Sequence, residues 1–212
     1  HFQDNFTDDT LDTNKWTATI GGSGDTMAIV EELGGMCTIG TGANDNDSCM
    51  LSTAIIYNGT QKAVFEARVA IDDVSSVYMF VGLSDAKTET NGEIAIEYPG
   101  GTLEANATNA VGFVVDGDYL TSSIMCTGVQ GGTSETAVDS GTDWVNAAKH
   151  TLRVELDGAE AWFYLDGVGV GYGDAMVTTG TLLCGTIQCG TREGTGQTNV
   201  DVYQVDIWQD AV

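Results

Sequence analysis

The sequence predicts an all-β protein, a two-sheet antiparallel jelly-roll sandwich in which residues 1–212 form one domain. Three observations carry that prediction. Apolar residues recur with a period of two, and no window of a dozen residues keeps an apolar stripe near 3.6. The apolar runs are short, and 28 glycines against a single proline punctuate them with turn chemistry. With 42% hydrophobic residues in 212 the chain can fill the interior of one large sandwich.

The clearest element is Thr151 to Leu156, where Leu152, Val154 and Leu156 alternate with Thr151, Arg153 and Glu155. Asp157-Gly158 supplies a hairpin turn, and the return strand Ala161 to Leu165 places Ala161, Phe163 and Leu165 on one face and Trp162 and Tyr164 on the other. Asp166-Gly167 turns the chain again. Phe65 to Ile71 alternates with Glu66 and Arg68, a strand with one wet face. Val77 to Leu83 is apolar on both faces, which predicts a central strand whose outer side is also covered. Gly92 to Tyr98, Ala110 to Val115, Leu182 to Gln188 and Val200 to Trp208 complete the set. Residues 21–48 and 127–143, rich in Gly, Ser, Thr and Asp, read as long loops on which binding residues would collect.

Thirty-one acidic residues against seven Lys and Arg leave a net charge of −24. A polyanion meets a repulsive field over most of such a surface, so nucleic acid is not an expected partner. No run approaches the roughly 20 apolar residues of a membrane span. The five cysteines, Cys37, Cys49, Cys126, Cys184 and Cys189, form no zinc spacing. They read either as one or two short-loop disulfides, Cys37 with Cys49 or Cys184 with Cys189, or as small buried hydrophobes. The chain begins at His1, which suggests processing or excision from a longer product, and it carries Asn-x-Ser/Thr acceptors at Asn5, Asn46, Asn58 and Asn106.

Among candidate chemical groups, Glu93 and Glu97 come first. On one strand residues 93, 95 and 97 point the same way, so the pair would present two carboxyl groups at a separation that suits a retaining glycosidase. The plainer reading puts both glutamates on a solvent face while Ile94 and Ile96 fill the core. Asp45, Asp47, Asp116 and Asp118 offer hard oxygen ligands in loops, so calcium is the ion they would accept. Plain solvation is the simpler reading of them, and no cofactor is required. Trp162, Tyr164 and Tyr98 are candidate sugar-stacking aromatics, with packing between sheets as the alternative for the first two. His150 opens a well-patterned strand with no nucleophile motif around it and reads as structural.

Three stretches carry a resemblance: Phe2-Gln3-Asp4-Asn5-Phe6 with Leu11 and Lys15-Trp16, His150-Thr151-Leu152-Arg153-Val154-Glu155-Leu156, and Trp162-Phe163-Tyr164-Leu165-Asp166-Gly167. Together they resemble concanavalin A-like lectin/glucanase jelly rolls, laminin-G-like modules included. The resemblance implies that the opening segment pairs near Val200 to Trp208. It also sets Glu93 to Glu97 beside the Glu-x-Asp-x-Glu strand of family-16 glucanases, with Glu93 as nucleophile and Glu97 as acid/base. Ala95 departs from that pattern where the family has Asp, so nothing adjacent sets the two carboxyl pKa values apart. The acidic, Gly- and Thr-rich, Pro-poor texture is similar to such domains in tailed-phage virions. The resulting expectation is a non-catalytic module on a virion or extracellular surface, decorating a capsid through protein subunits, able to oligomerise and to bind glycans. Its rivals are a β-glucan hydrolase and a free calcium-dependent lectin.

Overall fold

Side chains on a β-strand alternate between its faces, so every period-two run needs an apolar surface for one face. The computed structural model describes residues 1–87, 93–117, 123–192 and 197–211 and shows which surface each run finds. The first strands are β1 (Phe2–Asp4), β2 (Thr17–Ile20), β3 (Thr26–Val30), β4 (Met36–Gly40), β5 (Ser48–Ser52), β6 (Val64–Ile71) and β7 (Val77–Ser84). Then come β8 (Ile96–Glu97), β9 (Glu104–Ala105), β10 (Ala110–Asp116), β11 (Ser123–Gln130), β12 (Thr133–Ser134) and β13 (Val138–Asp143). The chain closes with β14 (Lys149–Asp157), β15 (Glu160–Leu165), β16 (Val168–Gly173), β17 (Cys184–Thr191) and β18 (Asn199–Trp208).

Two large antiparallel sheets result. Sheet A runs β16-β15-β14-β6-β18-β4-β3, with β1 also paired to β18, and sheet B runs β12-β11-β10-β7-β17-β5-β2, with β13 also paired to β11. Successive strands such as β4 and β5, β6 and β7, or β17 and β18 pass from one sheet to the other, which is the winding of a jelly roll. Inward side chains of both sheets meet in one cluster: Phe65, Val69, Leu152, Val154 and Phe163 from sheet A against Met79, Val81, Phe113 and Ile187 from sheet B.

The opening segment closes this core at one edge. Phe2 to Asp4 pairs with Ile207 to Val205, where the resemblance placed it. The buried Asp4 carboxylate accepts the Trp16 indole N–H at 2.9 Å and the Phe6 amide at 2.9 Å. That second bond holds Phe6 at φ 53 with its ring stacked on Trp16 at 5.6 Å. At the β15–β16 hairpin both central residues, Asp166 and Gly167, have positive φ, as a type I′ turn requires. The preceding hairpin turns on Gly158-Ala159, one residue later than Asp157-Gly158, because Asp157 still pairs with Glu160. His150 is held in place by two contacts: its Nδ1 lies 2.8 Å from Asp166 Oδ2 and its ring meets Trp144 edge-on at 4.8 Å.

Several expectations are corrected. Of the run Gly92 to Tyr98, Gly92 lies outside the described residues and only Ile96–Glu97 is a strand. Residues 21–48 contain β3 and β4, and 127–143 contain the end of β11 with β12 and β13. These strands are short or, in β13, half exposed at a sheet edge, so their composition imitates a loop. Of the two readings of the five cysteines, the structure shows the buried one: all are free thiols in the interior. Burial pushes the Cys37 and Cys126 thiols up to about 12 and Cys184 up to about 11.

Two predictions follow from this packing. A thiol-alkylating reagent is expected to modify none of the five cysteines until denaturant unfolds the chain; mass spectrometry of the labelled native protein checks this. Gly82 faces Gly112 across β7 and β10, and a Cβ on Gly82 would sit 2.2 Å from the Val111 carbonyl oxygen. Gly82→Ala is therefore expected to cost about 1–3 kcal/mol in urea unfolding.

Candidate functional site

The segment expected to carry a catalytic strand does something else. After Glu93, which is exposed, the chain bends at Ala95, and the four consecutive residues Ile94, Ala95, Ile96 and Glu97 are all buried. Ala95 donates its amide to Gln188 Oε1 of β17 at 2.6 Å, and its carbonyl accepts the amides of Asn106 and Ala107, each at 3.1 Å. With β8 paired to β9, residues 94–107 form a small flap. Its underside, Ile94, Ala95, Ile96 and Ala107, packs on Tyr78, Phe80, Val114 and Met125 in a second apolar cluster. Glu93 and Glu97 therefore do not share a strand face, and the expected pair is corrected: one carboxylate is in solvent and the other is beneath the flap. The plainer reading is corrected at Glu97 as well.

The structure brings Glu97 to two residues that its sequence neighbourhood does not contain. Arg192 Nη2 donates to Glu97 Oε2 at 2.9 Å and to Asp116 Oδ2 at 2.7 Å, while Arg192 Nε reaches Asp116 Oδ1 at 3.1 Å. The guanidinium lies over the Tyr78 ring at 4.0 Å. Glu97 also accepts from Asn106 Nδ2 at 2.9 Å, and Asp116 accepts the Tyr98 amide at 3.1 Å. All three charged side chains are buried. Burial pushes the Glu97 carboxyl above its ordinary range and Arg192 pulls it back; burial prevails because Arg192 divides its charge between two carboxylates. The hydrogen bonds and charges of Asp116 and Glu97 raise Arg192 against its own desolvation, so it stays cationic. Glu97 and Asp116, held to one guanidinium nitrogen, thus form a close carboxyl pair with unlike surroundings. Residues 95 and 76 positions apart create it, which no local motif signals.

The calcium candidates are scattered among different tasks. Asp45 is exposed; Asp47 is buried, and its carboxylate accepts the Asn44 amide at 3.1 Å and Asn44 Nδ2 at 2.9 Å. Asp116 is committed to Arg192, and Asp118 lies outside the described residues. Among the described residues no group of three or more His, Cys, Asp or Glu is arranged to hold a metal ion.

Trp162 and Tyr164 project from the outer face of sheet A, as their alternation implies, and line one cavity of about 260 Å³ with Lys62, Val64, Glu155, Leu156 and Asp157. Tyr172, 49% exposed, extends the aromatic surface with its ring 5.2 Å from Trp162. Arg153 spans the next row, 5.6 Å from the Tyr164 centroid and 5.2 Å from that of Trp208, and pairs with Glu155. Tyr98, the third aromatic candidate, packs instead against the flap cluster over sheet B and belongs to a different face. Tyr172 and Trp208 went unread because their contribution depends on strand neighbours rather than on their own segments.

No protein-family model matches the chain, and no curated protein matches it in sequence. Among solved structures it superposes on a Bacillus licheniformis beta-glucanase with a TM-score of 0.67 at 12% identity, covering 99% of this chain and 98% of that one. A glycosyl hydrolase family protein from Mycobacterium fortuitum gives a TM-score of 0.63 at 14% identity over 98% of each chain. The carbohydrate recognition domain of Emp47p gives 0.63 at 11% identity, over 98% of this chain and 94% of that one. The chain has the concanavalin A-like jelly-roll fold. At these identities the likeness establishes the shape of the jelly roll. The expectation of a non-enzyme is nevertheless corrected, since the similar structures are mostly glycoside hydrolases.

Two tests bear on the Arg192 cluster. Arg192→Leu leaves two buried carboxylates without a counter-charge and is expected to cost about 3–5 kcal/mol in denaturant unfolding. Glu97→Gln has a pH signature. A carboxyl raised in the folded state binds its proton more tightly there than in the unfolded chain, so it makes stability fall as pH rises from its ordinary 4.5 through the folded value. The Gln variant is expected to lack that component, visible as a flatter stability curve over this window.

Proposed function

We propose that this jelly roll acts on carbohydrate and that a glycan lies along the outer face of sheet A at Trp162, Tyr164 and Tyr172. One observation carries the reading: two of these rings line a cavity whose remaining polar groups are the Glu155 and Asp157 carboxylates and Lys62. Sugars present an apolar ring face and a rim of hydroxyls, so they suit aromatic walls combined with a few fixed acceptors and donors. The outer face of sheet B offers no comparable surface among its described residues, because the flap covers its central strands with Ile94, Ala95 and Ile96. Lectin-like and glycosidase-like structures of the same shape support a carbohydrate ligand.

Hydrolysis is the second reading, and the carboxyl pair held by Arg192 favours it. Glu97, with its raised pKa, would be the proton donor and Asp116 the carboxylate facing it; Glu93 has no part. Turnover then requires the 94–107 flap to lift from the Tyr78–Phe80 surface.

Glycan-array binding identifies ligands, and Trp162→Ala is expected to weaken them roughly tenfold or more, as loss of a central aromatic contact does. Unchanged binding by the variant would remove the site from sheet A. A reducing-sugar assay over β-glucans with the parent and Glu97→Gln separates the second reading: release that depends on Glu97 is expected if the pair is catalytic, and release that survives the substitution rules it out.

A further inference from the structure

The same outer face of sheet A holds a second cleft, of about 400 Å³, lined by Asn5, Leu33, Gly34, Gly35, Arg68, Lys149, Tyr203 and Gln204. Its composition runs against the rest of the molecule, because two of only seven Lys and Arg in a chain of net charge −24 meet there. Arg68 projects from β6 and Lys149 from β14, while the irregularity in β18 between Val202 and Gln204 inserts Tyr203. Lys149 Nζ lies 3.7 Å from the centroid of the Tyr203 ring.

Carboxylates border this cleft: Glu66 and Asp206 line a smaller neighbouring cleft with Arg68, and Asp201 lies within the field of Lys149 and Glu32. Asp201 accepts Thr38 Oγ1 at 2.7 Å, Asp206 is bonded by Gln204 and lies 3.6 Å from His1, and Glu66 lies 3.9 Å from Arg153. Arg68 is different: its side chain makes no ion pair or hydrogen bond with any described residue. The 31–35 loop also divides two surfaces of unlike charge. On one side Glu31, Glu32, Asp8 and Asp9 line a cavity, and on the other are Arg68 and Lys149.

We propose that this cleft binds an acidic sugar, with the carboxylate of a uronate residue at the Arg68 and Lys149 head groups and its pyranose ring against Tyr203. A guanidinium presents parallel donors that match a carboxylate, and an ammonium adds a point charge beside it. Tyr203 supplies the aromatic face and Gln204 and Asn5 supply side-chain amides for hydroxyls. The field of the whole chain does not forbid this. Exposed charges are screened beyond about 8 Å at physiological ionic strength, so a single carboxylate is governed by the cations it touches. The inference rests on the carbohydrate reading above and deepens it, because it names the class of sugar that this face would select.

Two-dimensional NMR of the whole chain, titrated separately with glucuronate, glucose and acetate at millimolar concentrations, tests it. Glucuronate is expected to shift the Arg68 side-chain and Tyr203 and Gln204 signals more than acetate or glucose does, and added salt is expected to weaken it. Arg68→Gln combined with Lys149→Gln is expected to lower glucuronate affinity roughly tenfold or more, the size of one lost charge-assisted hydrogen bond. Both residues project from the outer face, and circular dichroism verifies that the variant keeps its fold. If these signals do not respond to glucuronate, or if the double variant binds it as the parent does, the inference falls. An equal response to acetate overturns the sugar assignment. The carbohydrate reading survives such a failure if glycan-array binding still depends on Trp162, and falls with it if that binding is absent as well.

Discussion

Strand β7 is buried along its whole length, yet sheet A can cover only one of its faces. The other face carries Tyr78 and Phe80, and leaving those rings in water would forfeit roughly 1.5–3 kcal/mol each. The 94–107 flap supplies the missing cover, and beside the Ala95 amide on Gln188 it is anchored by the buried bridge from Glu97 on the flap through Arg192 to Asp116 on β10. Buried ions are costly to desolvate, and this arrangement is tolerable because every member has hydrogen-bonding partners and the guanidinium also rests on the Tyr78 ring. The interaction therefore orients more than it stabilises, fixing which way the flap lies across sheet B.

That arrangement makes the two outer faces unlike. Sheet B is closed over its centre by apolar residues, with polar groups such as Gln188 drawn into bonds with the flap backbone. Sheet A keeps an uncovered face on which Trp162, Tyr164, Tyr172 and Trp208 alternate with Glu155, Arg153 and Glu66. Rigid strands hold these rings at fixed separations, so a ligand pays little to order them. The recognition surface proposed on the open face and the carboxyl pair beneath the flap are compatible, because the first would be reached directly and the second only after a conformational step.

Much of the sandwich was legible because its strands obey a local rule. In β14 and β15 the alternation of Leu152, Val154 and Leu156, and of Phe163 and Leu165, separates the two strand faces, and the structure then turns Trp162 and Tyr164 outward. The Glu93 to Glu97 stretch obeyed the same rule on paper and broke it in the fold. Ile94, Ala95, Ile96 and Glu97 are buried in succession, since a flap bends to follow the surface beneath it and has no second strand to enforce alternation over its length. β3, β4 and β13 were hidden for the opposite reason, as edge or near-edge strands draw order from their neighbours rather than from their own composition.

By itself the sequence determined the period-two pattern, the turn positions near Gly158 and Gly167, and therefore a pair of antiparallel sheets with Trp162 and Tyr164 on the strand face opposite Ala161, Phe163 and Leu165. These are consequences of bonds and sterics within a few residues. Only the tertiary structure decided that Glu97 meets Asp116 through Arg192, that Tyr98 leaves the aromatic face, and that Arg68, Lys149 and Tyr203 line one cleft. Each of those contacts joins residues distant in the chain, and strand order and register, set by the burial of the whole apolar surface, bring them together.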